Sequence, residues 1–109
     1  MPIEERRLGD ISVLAPSGPL VVERFGELKQ AVQRVVDAGG RRVVITLEHV
    51  PYADSIGIAE LIRAHTILVT HGGQLTLARV PDRVLELLRM TGLSAIFEIV
   101  GSERDAFGP

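Results

Sequence analysis

A chain of 109 residues, 46% of them hydrophobic, is long enough to bury a core as one domain over residues 1–109, and the absence of Cys excludes disulfides and thiolate metal sites. A formal net charge of −2, with the arginines scattered apart from Arg6-Arg7 and Arg41-Arg42, excludes the basic footprint of a nucleic-acid binder. No apolar run approaches the roughly eighteen residues of a membrane span and the N-terminus lacks a signal-peptide core, so a cytoplasmic protein without membrane insertion is expected.

The predicted elements alternate. A charged strand from Ile3 to Arg7 turns through Leu8-Gly9-Asp10 into a second strand, Ile11 to Ala15. After Pro16-Ser17-Gly18-Pro19, helical spacing runs from Val21 to Ala38, with Phe25, Leu28, Val32, Val35 and Val36 on one face, and Gly39-Gly40 ends it. Arg42 to Leu47 is a continuous apolar strand, the pattern of one covered on both faces. Helical spacing resumes at Ile58 and stops at Gly72-Gly73; Gln74 to Arg79 is a strand; Pro81-Asp82 opens a helix that Thr91-Gly92-Leu93 closes. Ile96 to Val100 is the last strand, and Ser102 with Asp105 predicts a final short helix through Phe107. Strands and helices alternating through short connections predict right-handed crossovers and a mostly parallel sheet with an antiparallel edge hairpin.

One junction stands out, Tyr52-Ala53-Asp54-Ser55-Ile56-Gly57, between the central strand and the second long helix. The first N–H groups of a helix lack intrahelical partners, and either Asp54 or Ser55 is a side chain that caps them. Ser55 carries the one aliphatic hydroxyl there. A phosphate on it would add about −1.5 to −2 charge where the helix dipole favours an anion by roughly 0.3–1 kcal/mol, against repulsion from Asp54. The plain reading, two ordinary capping residues, stands beside this one.

Enzyme chemistry fits poorly. Ala53-Asp54-Ser55-Ile56-Gly57 lacks the first Gly of the Gly-x-Ser-x-Gly elbow, and no His follows His71 to complete a Ser, acid, His order. His49, His65 and His71 have no metal-ligand spacing, and both Gly pairs follow helices instead of opening them as a dinucleotide loop does.

The order of elements, Val50-Pro51-Tyr52-Ala53-Asp54-Ser55-Ile56-Gly57, the helix start Ile58-Ala59-Glu60-Leu61, the joint Gly72-Gly73-Gln74-Leu75, and Val80-Pro81-Asp82-Arg83-Val84 leading to Thr91-Gly92-Leu93 together resemble a STAS domain of the anti-sigma factor antagonist family, over nearly the whole chain. The resemblance implies the α/β STAS fold: a mixed, mostly parallel sheet with an N-terminal antiparallel edge hairpin and about four helices, in the order β-β-α-β-α-β-α-β-α. It implies a bacterial, non-enzymatic partner-switching module without cofactor or metal. Such a module binds an anti-sigma factor that is a serine kinase, frees a sigma factor for transcription, and is released by phosphorylation until a phosphatase of the PP2C type restores it. Carried over, Ser55 is the phosphorylated residue, and Asp54, Ser55, Ile56 and Gly57 bind the partner. Ile56 stands where the family has Ser or Thr, and Pro19 and Val21 stand where acidic residues are usual. These departures leave a second expectation: a STAS scaffold or transporter-associated domain without a phosphoswitch.

Overall fold

The computed structural model describes residues 3–107. Five strands form one sheet in chain order: β1 (Glu4–Leu8) runs antiparallel to β2 (Ile11–Ala15), and β3 (Arg42–Thr46), β4 (Gln74–Ala78) and β5 (Glu98–Val100) follow β2 in parallel. The parallel steps are bridged by α1 (Glu27–Asp37), α2 (Ser55–Thr70) and α3 (Asp82–Met90). Each right-handed crossover moves the chain one strand in the same direction, which places all three helices on one face. Among the described strands the order never reverses, so the switch-point crevice of doubly wound sheets does not form.

The core lies between that face and the helices. Leu14, Val43, Ile45, Leu75 and Leu77 of the sheet meet Leu28, Val32 and Val35 of α1, Leu61, Ala64 and Leu68 of α2, and Val84 and Leu88 of α3. Full burial of such a side chain stabilises by about 1.5–3 kcal/mol. On the reverse face Ile11, Val13, Val44 and Ala78 pack with Leu8, Val100 and Ala106. Val43, Val44 and Ile45 are thus buried on alternating sides, which is why β3 reads as an unbroken apolar run. β1 is the charged edge, a composition that discourages pairing with another chain.

Three expectations change in detail. The described residues hold three α-helices instead of about four, because the segment after Ser102 winds as a 3-10 turn, Glu103–Phe107, whose Asp105 N–H donates to the Ser102 carbonyl. The helix expected from Val21 to Ala38 is broken: Val22–Arg24 is a separate 3-10 turn, and Gly26, at φ +93°, reorients the chain before α1 begins. Only glycine reaches that left-handed value without steric cost. The last strand is shorter than expected because Leu93–Ala95 is a 3-10 turn and Ile96 keeps helical angles. Both Gly pairs do end their helices: the N–H groups of Gly39 and Gly40 donate to the carbonyls of Val36 and Val35, and those of Gly72 and Gly73 to Val69 and Leu68.

Candidate functional site

Past the end of β3 the chain runs beside the segment that leaves β2. The Leu20 N–H donates to the Tyr52 carbonyl at 3.1 Å, and the Asp54 N–H returns to the Leu20 carbonyl at 3.0 Å, making a short parallel bridge between Leu20 and Ala53. Asp54 is the cap of α2. Its Oδ1 accepts from the Gly57 N–H at 2.8 Å, the third helical position, and its Oδ2 accepts from the Val22 N–H at 3.0 Å. The Gly57 hydrogen bond, aided by the N–H groups of Val22 and Ile56 and opposed by partial burial, holds the Asp54 carboxyl below its ordinary pKa.

The cap question is thereby resolved. Ser55 is the first residue of α2, exposed, and free of the capping duty that Asp54 performs. Ile56 is 37% exposed, whereas Gly57 is buried. A Cβ on Gly57 would overlap the Leu20 backbone carbonyl, so this glycine exists to let the first turn of α2 lie against the Leu20 segment. Of the four residues expected to bind a partner, Ser55 and Ile56 face outward; Asp54 and Gly57 build the support beneath them.

Glu60 is a charged residue in the second turn of α2, yet it is only 4% exposed. Gly26 carries no side chain to cap α1, and the acceptor comes instead from Glu60 on α2: its Oε2 takes the N–H of Gly26 at 3.1 Å and of Lys29 at 3.4 Å. A carboxylate at a helix N-terminus is stabilised by both the donors and the dipole. The glycine inside an otherwise helical pattern was the available signal, but the residue that answers it is 34 positions away.

Apolar side chains surround the junction. Val22 is 52% exposed, Phe25 51% and Tyr52 42%. The Arg63 guanidinium lies 4.7 Å from the Phe25 ring centre, and that of Arg83 lies 5.2 Å from the Tyr52 ring centre, so both rings are framed by cations. On the other flank a groove of about 400 Å³ runs between α2 and α3, bounded by Ser55, Ala59, Ile62, Leu87 and Leu93. Ser55 therefore borders a surface that is apolar in composition and polar mainly at Asp54. Among the described residues no three His, Asp or Glu side chains gather as metal ligands; His49 pairs with Glu48, His65 packs edge-on to Phe97, and His71 Nδ1 lies 2.8 Å from the Ile67 carbonyl.

A family model for the STAS domain matches residues 2–106. The chain belongs to the STAS domain family. Among curated sequences no relative matches. Similar solved structures include an anti-sigma factor antagonist from Mycobacterium paratuberculosis, at 23% identity and TM-score 0.84, covering 96% of this chain and 89% of that one. The Bacillus cell fate determinant SpoIIAA in its phosphorylated form is 14% identical with TM-score 0.72, covering 96% of each chain. A sulfate transporter family protein from Wolinella succinogenes is 19% identical with TM-score 0.79, covering 91% and 83%. At these identities the likeness establishes the fold. No helix of this STAS domain, among the described residues, is long and apolar enough to cross a membrane.

Proposed function

We propose that this STAS domain is an anti-sigma factor antagonist whose hold on its partner is controlled by phosphorylation of Ser55. The observation that carries the reading is an exposed hydroxyl at the first position of α2, bordering apolar surface, with its helix already capped by Asp54. Because the fold does not use the Ser55 side chain as cap, modification costs it little. A docked partner would instead have to desolvate a dianion of about −1.5 to −2 charge beside the Asp54 carboxylate. The partner is an anti-sigma factor with serine-kinase activity. Its ATP supplies the phosphoryl group: the Ser55 Oγ–P bond forms, the bond to the ADP leaving group breaks, and the hydroxyl proton passes to a base on the kinase. A PP2C-type phosphatase resets the cycle in the cytoplasm of a bacterial cell. Likeness to SpoIIAA, whose phosphorylated form has been solved, supports this reading.

Likeness to a sulfate transporter family protein supports the second reading, a STAS scaffold without a switch. Incubation with the kinase encoded nearest its gene, with and without ATP, separates the two. The switch predicts one phosphate on Ser55 by mass spectrometry and ATP-dependent release; binding indifferent to ATP with Ser55 unmodified overturns it.

A further inference from the structure

At the other end of the sheet from Ser55, the hairpin register sets Arg7 of β1 opposite Ser12 of β2, which sends both side chains to the same face. Between them and the C-terminal turn of α1 opens a cleft of about 360 Å³, into which Arg34 of that helix also projects. Arg41 and Arg42 close the cleft and are already held: Arg41 donates to the Val36 and Gly40 carbonyls, and Arg42 to Asp10 and the Ala106 carbonyl. Arg7 and Arg34 differ. Among the described residues neither guanidinium has an ion-pair partner, although the Glu5 carboxylate borders the same space. Ser12 is only 3% exposed, lines the cleft, and has no side-chain hydrogen bond among the described residues.

We propose that this cleft binds a small phosphorylated anion, its phosphoryl group held between Arg7 and Arg34 with the Ser12 hydroxyl donating to it. Four arginines against the carboxylates of Glu5 and Asp10 give the lining a net charge of +2, which suits a dianion. The planar guanidinium matches paired phosphoryl oxygens, and two of them facing from strand and helix define a position that a single surface arginine does not. The negative end of α1 points the same way, but Arg41 covers the Val36 carbonyl that would repel the ligand. The volume is at the lower end of the roughly 300–1,000 Å³ typical of small-molecule sites, which fits a phosphoryl group with a sugar-sized body. The site is independent of Ser55, and its occupancy leaves the α2 surface free.

The test is an amide-resonance titration of the whole protein with inorganic phosphate, pyrophosphate and AMP at constant ionic strength, with sodium chloride as the blank. Saturable shifts at Ser12, Gly39 and Gly40 are expected. Arg7→Gln and Arg34→Gln should each weaken binding at least about tenfold while leaving the unfolding midpoint in place, since both side chains are exposed. Cosedimentation with phosphatidylglycerol vesicles distinguishes the source: capture lost in the same variants makes the phosphoryl group a lipid's, and no capture makes it that of a free molecule. The proposal is overturned by no saturable shift up to concentrations on the order of 10 mM, by equal shifts with chloride, or by shifts that persist in the double variant.

Discussion

The N–H of Val22 and the carboxylate of Asp54 meet at 3.0 Å although 32 residues separate them, and the same carboxylate caps α2 through Gly57. One side chain thus fixes both the helix that begins with Ser55 and the loop that carries Val22. Replacing it should therefore loosen the two together. In Asp54→Ala, amide exchange should accelerate at Val22 and Gly57 alike, and the protein should melt at a lower temperature. Asp54→Asn, which keeps one acceptor oxygen, should fall between. Exchange that quickens at Gly57 alone would show the tether to be inert.

Acid should remove the same support. The Asp54 carboxyl is held below its ordinary value, so its contribution is fully present above the unfolded carboxylate range, about pH 3.9, and is lost as pH falls through the lower folded value. The gap in urea midpoint between wild type and Asp54→Asn should be widest near neutrality and narrow in strong acid. A gap that stays constant from pH 7 to pH 2 would contradict the sign.

Gly57→Ala pushes a methyl into the Leu20 carbonyl, which is backbone and bridged to Ala53, so it has little room to retreat. A loss of about 1–3 kcal/mol is expected from urea unfolding, the range of an overpacked core position.

Ser55→Ala removes no cap and should change stability by less than about 0.5 kcal/mol, while abolishing phosphorylation and leaving the partner bound in the presence of ATP. Ser55→Asp should weaken the complex only in part, since one charge replaces nearly two. Titration calorimetry against the isolated anti-sigma factor reads both; full release by Ser55→Asp, or ordinary ATP-driven release of Ser55→Ala, would count against the switch.

Glu60→Ala strands the N–H groups of Gly26 and Lys29 at the start of α1 and should cost about 1–3 kcal/mol. Faster exchange confined to the first turn of α1 would mark the effect as local; an unchanged midpoint would show that water replaces the carboxylate.

Local pattern was enough for much of this molecule. The alternating elements, the charged edge strand, the Gly-Gly helix ends and the serine at the start of α2 are each written in a few consecutive residues, because strand and helix periods and capping chemistry act over one or two turns. What joins residues 31 to 34 positions apart came only with the tertiary structure: the Val22 to Asp54 tether and the Glu60 carboxylate over α1. The choice between Asp54 and Ser55 as cap, a contact only three residues long, also waited for the structure, because both side chains suit that position. Phe25 shows the limit clearly. Its spacing placed it on a buried helical face, but Gly26 breaks the helix behind it and leaves the ring half exposed under Arg63. Period predicts which side chains share a face. Only the packing of β2's exit against β3's decides which of those faces water.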